Sequence, residues 1–207
     1  MRVTGQTKAT TRRRILDAAR RLLASEGFDA TTTRDIADAA GIASGTLFNY
    51  FATKEAVLAA LALELLEDVH DDALGEGRED DSAGTLEEDL FAFIAAVLRK
   101  LRPLRKHLAG LLETALSPLA TCDGEAQSLR SLHLEIVSRL AKKHRWGELS
   151  AVALQLYWTL YTGLLMFWAN DRSHKQEDTL ALLDESLAMF IGWLRSVDQT
   201  GVKPCPP

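Results

Sequence analysis

The chain has 207 residues with 24 lysines and arginines against 29 acids, a formal net charge of −5 at pH 7. That length supports a sizeable core without disulfides or a structural metal, and the two cysteines, Cys122 and Cys205, exclude a disulfide scaffold and fit a reducing compartment. The acidic balance alone argues against a polyanionic partner, but residues 1–60 hold nine basic and six acidic side chains, a balance of +3, and the remainder carries −8, so a polyanion would meet the head of the molecule only.

Apolar residues recur at helical spacing and no alternating strand pattern is found, so the fold class is all-α, with about nine helices. Residues 1–10 read as a mobile basic arm with no apolar secretory run, and a cytoplasmic location is expected. Ile15, Ala18, Ala19, Leu22 and Leu23 share one face of a first helix over 11–25, which Gly27 stops. Thr32 and Asp35 have capping-box spacing before a short second helix that turns Ile36, Ala37 and Ala40 inward. Gly41 ends that helix, a third runs from Ser44 through Phe51, and Thr53 caps a long fourth over 54–72. The acidic, glycine-bearing stretch 75–88 reads as a solvated loop. Further helices are expected at about 85–102, 103–116, 124–144, 148–170 and 176–197, with Pro103 at a joint and Ser117-Pro118 as a stop.

From Ser150 to Asn170 there are 21 residues without a charge, which meets the length of a membrane span. Gln155, Thr159 and Thr162 interrupt the run, and basic residues flank both ends, so no membrane orientation is encoded. The preferred reading is a helix buried between its own core and a partner subunit, with no membrane contact.

Three helices within about 45 residues, the last two joined by Ala40-Gly41-Ile42-Ala43, follow the helix-turn-helix plan. Leu47 and Phe51 can anchor the third helix, which leaves Ser44, Gly45, Thr46, Asn49 and Tyr50 for base edges. Thr32, Thr33 and Arg34 start the second helix and Lys54 the fourth, where free N–H groups favour phosphate. The alternative for this segment is a three-helix protein-interaction module. No catalytic set, cofactor motif or metal-ligand spacing emerges, since His70, His107, His133, His144 and His174 are scattered over five regions.

Between Thr11 and Leu58 stand, in order, the blocks Ile15-Leu16-x-Ala18-Ala19, Glu26-Gly27-Phe28, Thr32-Thr33 before Ile36-Ala37, Ala40-Gly41-Ile42, Gly45-Thr46-Leu47 and Tyr50-Phe51-x-x-Lys54-Glu55. With these blocks the stretch resembles the DNA-binding domain of the TetR family of transcriptional regulators. Two positions depart from it: Phe48 stands where the family usually has Tyr, and Ala43 where a capping Ser is common. Phe48 could still touch a thymine methyl.

The resemblance implies a DNA-binding unit at 1–53 and a ligand-binding and dimerisation unit at 54–207. It implies a homodimer on a palindromic operator, released by a small-molecule effector, and more often a repressor than an activator. The last two long helices would pair across the dimer, with Leu156, Leu160, Leu164 and Phe167 on the first and Leu183, Leu187, Phe190, Ile191 and Leu194 on the second. The family pocket lies among the fourth to eighth helices, where Phe91, Phe93, His107, His133, Tyr157, Trp158 and Tyr161 are candidates, each also readable as core. A helical sensor or interaction protein that keeps the fold and no longer binds DNA is the rival reading.

Overall fold

The computed structural model describes residues 5–74, 84–108 and 125–200, and helices are the only regular elements among them. The head comprises α1 (Gly5–Ser25), α2 (Thr33–Ala39) and α3 (Ser44–Phe48). Ile15, Ala18 and Ala19 of α1, Ile36 and Ala37 of α2, and Leu47 of α3 are buried together. α1 begins at Gly5, so residues 5–10 of the expected arm are helical. Good helix formers such as Gln6, Lys8 and Ala9 continue the pattern backwards, and Thr10 and Thr11 donate to the carbonyls of Gln6 and Thr7.

The turns of the head need their glycines. Gly27 and Gly41 have φ of 85° and 65°, in the left-handed region. A Cβ on Gly41 would also stand 3.0 Å from the Arg14 guanidinium, which donates to Ala40 O at 2.5 Å and ties the α2–α3 turn to α1.

The body begins with α4 (Lys54–Leu74), capped by Thr53 Oγ1, which accepts from Ala56 N at 3.1 Å. Val57 through Ala62 are buried without interruption, because α4 is enclosed by α1 on the head side and by body helices on the other. These are α5 (Leu86–Leu101), α6 (Glu125–Lys143), α7 (Ala151–Asn170) and α8 (Glu177–Thr200). α5 is central, packing on α4, α6 and α8. Thr85 and Glu88 form a capping box at its start.

Residues 102–107 form a 3-10 helix rather than the start of an α-helix. Pro103 has no N–H to give and cannot extend the α5 ladder. The expected helix 103–116 is described only to Leu108. Its remainder, Cys122, residues 75–83 of the acidic loop, residues 1–4 and the tail with Cys205 lie outside the described residues. α7 is long and apolar enough to cross a bilayer by length and composition, yet Tyr157, Trp158, Tyr161 and Trp168 on one side are buried in the protein core.

Candidate nucleic-acid interface and effector chamber

Leu47, fully buried, and Phe51, at 2% exposure, hold α3 to the head from one side. Gly45, Phe48 and Asn49 face solvent, and Ser44 and Thr46 are half-buried beside them. Phe48 is 52% exposed, a large apolar ring left in water. A Cβ on Gly45 would meet nothing within 4 Å, so the backbone there is open to close approach. Tyr50 packs half-buried against the core. Ala43 supplies no side-chain cap to α3, as its methyl dictates.

Two expected phosphate contacts are engaged elsewhere. Thr32 Oγ1 donates to Asp35 Oδ2 at 2.6 Å and accepts from Asp35 N at 3.2 Å, so its hydroxyl closes the helix cap. Those hydrogen bonds from Thr32 also hold the Asp35 carboxyl below the usual carboxylate range. Thr33 is half-buried and Arg34 exposed at the same helix end.

Lys54 turns inward. Its Nζ donates to Phe28 O at 2.7 Å and Thr31 O at 3.0 Å, and lies 4.0 Å from the Phe28 ring centroid. It pins the α1–α2 turn, because buried carbonyls there have no helix partner to accept from. Lys54→Met, which keeps the stem and removes the donor, should lower stability by about 1–3 kcal/mol in chemical denaturation. A loss under about 0.3 kcal/mol would show that the pin is dispensable.

His107 sits at the contact between the body and the head. Its Nδ1 accepts from Phe28 N at 3.3 Å, and its ring lies 6.2 Å from that of Phe28. The 3-10 helix thus meets the head. Arg105, on the same segment, donates from Nε to Trp168 O at 2.7 Å, and its other guanidinium nitrogen donates to Asp171 O. One short segment therefore bridges the C-terminus of α7 and the α1–α2 turn.

The remaining pocket candidates converge, except Phe91, which faces a groove on another side of α5. His133 Nε2 and Tyr157 OH are 2.9 Å apart. The His133 ring lies 4.1 Å from Tyr161, 4.8 Å from Phe93 and 5.8 Å from Trp158. His70, far from the others in sequence, joins them from the end of α4. Its ring is 6.4 Å from Phe93 and 2% exposed. The recurrence of buried positions along α4, with Leu66 one turn earlier, carried that signal.

Among the described residues, both ring nitrogens of His70 and Nε1 of Trp158 are buried and have no hydrogen-bond partner. Such groups are rare in folded proteins and each costs about 1–3 kcal/mol. The two voids that touch Tyr161 measure about 10 Å³ each, too small for a ligand. Beside them a cleft of about 450 Å³ opens between α4, α5 and α6, with Val69, Phe93 and Leu140 in its wall. Phe93 separates the cleft from the histidines.

Burial pulls the His133 imidazole down to about 3 and also lowers that of His70, so both are neutral at pH 7. The unfolded chain protonates them near the ordinary 6.5, whereas in the folded chain His133 is protonated only near 3 and His70 at a lower pH than usual. Between those limits unfolding takes up protons, and stability falls as pH falls, by up to about 1.4 kcal/mol per unit for each histidine. Carboxylates held low, such as Asp35 and Asp171, lose their contribution only below their own ordinary value of 3.8. Denaturation between pH 7 and 5 should show the decline, and the double variant His133→Phe/Tyr157→Phe should make it shallower, with His70 and His107, also lowered by burial, carrying the remainder. A flat profile would place the histidines in water.

The expected dimer contacts divide. Leu164, Leu183, Leu187, Phe190, Ile191 and Leu194 are buried within the subunit. They face the core because α8 packs on α5 and α7. Leu156 and Leu160 are half-buried, and Phe167 is 43% exposed. A different stripe faces outward: Val152, Thr159, Gly163 and Met166 on α7, and Leu182, Met189 and Gly192 on α8. Their spacing follows the heptad steps of three and four, and Met189 is 69% exposed.

A family model for bacterial regulatory proteins of the tetR family matches residues 15–61. The HTH-type transcriptional repressor KstR2 of Rhodococcus jostii (strain RHA1) is 45% identical over 85 residues, which is 39% of this chain and 40% of that protein. Tetracycline repressor protein class D of Escherichia coli is 36% identical over 97 residues, 47% of this chain and 44% of that one. The matches to these curated relatives thus span less than half of their length. Among solved structures, a TetR transcriptional regulator from Rhodococcus sp. RHA1 is similar with a TM-score of 0.65 at 17% identity, covering 89% of this chain and 97% of that one. FadR of Thermus thermophilus, a TetR family transcriptional repressor in complex with lauroyl-CoA, gives 0.62 at 24%, covering 95% and 98%. At such identities the structural likeness establishes the fold.

Proposed function

We propose that the chain, whose residues 15–61 match the model for bacterial regulatory proteins of the tetR family, is a cytoplasmic repressor of that family that binds a palindromic operator as a homodimer and leaves it when a small molecule enters the body. The observation that carries the DNA reading is α3, held from behind by Leu47 and Phe51 with Gly45, Phe48 and Asn49 facing out. A helix so presented fits the major groove, where Ser44, Thr46 and Asn49 meet base edges and Phe48 a thymine methyl. Thr33 and Arg34 at the start of α2 take phosphates. Residues 1–53 form the reading unit and 54–207 the sensing and pairing unit, with α4 belonging to both cores.

The second copy pairs through the outward stripe of α7 and α8. Gly163 and Gly192 both open to free space, which lets two helix pairs approach closely into a four-helix bundle. This pairing covers the apolar side of α7 and makes a membrane unnecessary to explain its composition.

The effector enters by the cleft beside Phe93 and completes the histidine chamber. A molecule with an apolar body and one uncharged polar group would partner the orphaned nitrogens of His70 and Trp158 that nothing satisfies at present. Insertion must move Phe93, and the Arg102–His107 segment offers the route to the head through Phe28. Release follows only if the ligand prefers the arrangement that fits DNA less well.

Fluorescence anisotropy of a mixed-sequence duplex across a salt series tests the DNA reading. Binding should weaken steeply with salt, and Arg34→Gln should reduce the log–log slope by about 1 per subunit contact removed. The same assay separates the two roles of Lys54: as a pin, its loss leaves the slope unchanged. Absence of any salt-dependent binding by the folded protein would favour a sensor without an operator.

A further inference from the structure

We infer that the groove between α5 and the start of α8 is a second ligand site, built for a single-chain amphiphile with an anionic head. The groove measures about 450 Å³, within the range of small-molecule sites. Its apolar wall is made by Phe91 and Leu98 of α5, Trp168 of α7 and Leu180 of α8. Leu180 is 41% exposed, unusual for a leucine that has a groove to fill.

Three cations stand along this wall, Arg99, Arg102 and Lys175, and no acidic residue is among its described lining residues. The acids of the first turn of α8, Glu177 and Asp178, are not among the lining residues. Among the described residues none of the three cations has a hydrogen-bond or ion-pair partner. Cations of one sign gathered over apolar surface repel one another, and an anion held among them relieves that repulsion. An apolar tail would at the same time cover Phe91 and Leu180.

The turn that carries Lys175 is built under strain. Lys175 and Gln176 have φ of 51° and 63°, two successive non-glycine residues in the left-handed region. Gln176 Oε1 accepts from Trp168 Nε1 at 2.9 Å, which fixes the turn to the floor of the groove. Strain of this kind persists where surrounding contacts over-determine it, and it clusters at ligand clamps.

The groove lies apart from the histidines of the effector chamber and from the pairing stripe, and of its described lining residues it shares only Arg99 with the cleft beside Phe93. Phe91 and Phe93 are two residues apart on α5, and Leu180 and Leu182 two apart on α8, which turns each pair roughly 200° from one another.

Isothermal titration calorimetry with decanoate, below its micellar concentration, tests the site, with decanol as the uncharged control. Arg102→Gln with Lys175→Asn removes two cations, and Asn accepts the left-handed turn. Decanoate should bind the native protein about tenfold more tightly than decanol, and the double variant should lose that preference. Leu180→Asp, an exposed change, should abolish binding of both. Phe93→Leu, at the effector chamber, should leave decanoate binding at the groove intact, so a failed chamber and a failed groove are told apart. Absence of decanoate binding, affinity equal to decanol, or a double variant that is folded by circular dichroism and binds unchanged would overturn the assignment.

Discussion

Met189→Glu is expected to convert the protein to a monomer and lower operator affinity by more than about 1,000-fold. Met189 is 69% exposed on the subunit and lies at the centre of the outward stripe. In the proposed bundle it would be covered by its symmetry mate, so the substitution buries two carboxylates close together. An unpaired buried charge costs several kcal/mol, and two-fold symmetry applies that penalty twice. Each monomer would then hold a single half-site. The neighbouring Leu183→Ala should behave differently, because Leu183 is 1% exposed inside the subunit. It should cost about 2–5 kcal/mol of subunit stability with no direct effect on pairing. Sedimentation of the two variants separates the cases, and a dimeric Met189→Glu protein would move the interface to another face.

The second large effect is expected at Leu47. It is fully buried and is the only buried residue that α3 itself contributes. α3 has five residues and no side-chain cap, so its own hydrogen bonds cannot sustain it. Leu47→Ala should cost about 2–5 kcal/mol and release the helix from the head. Binding to every DNA sequence should fall together, since the whole reading face moves. Asn49→Ala, exposed two residues further on, should leave stability within about 0.5 kcal/mol and change sequence preference instead. Thermal unfolding combined with anisotropy on two duplexes distinguishes these outcomes. A Leu47→Ala protein that binds normally would show that α3 is not what contacts DNA.

The head was legible in the sequence because its signals are local. The Thr32–Asp35 capping box, the glycines that break α1 and α2, and the Leu47–Phe51 step each depend on residues a few positions apart. The helix-start signal misled only at α1, where polar helix formers extend the helix to Gly5 without an apolar stripe to announce it. What the sequence withheld was long-range direction. Lys54 has the same type and position as a phosphate donor, and only the folded turn brings Phe28 O and Thr31 O within reach of its ammonium.

The body was harder for the same reason. α8 presents apolar residues on more than one side, and periodicity marks the deeper stripe, Leu183 to Leu194, which faces α5 and α7. The outward set includes glycines and methionine, weaker in hydrophobic pattern. Among the aromatic candidates, the rings of His133, Tyr157 and Tyr161 do gather, but His107 left for the head and His70 joined from α4. Neither exchange follows from spacing, because each depends on how α5 is placed against α4 and on the turn at Pro103.

The measurement that bears most directly on the central claim is selection of random double-stranded DNA by the purified protein at about 0.1 M salt, where non-specific attraction is already weakened. The account predicts enrichment of a palindrome whose half-sites lie about one helical turn, ~34 Å, apart. Failure of the folded dimer to enrich any sequence would contradict it and leave a helical sensor that does not read DNA.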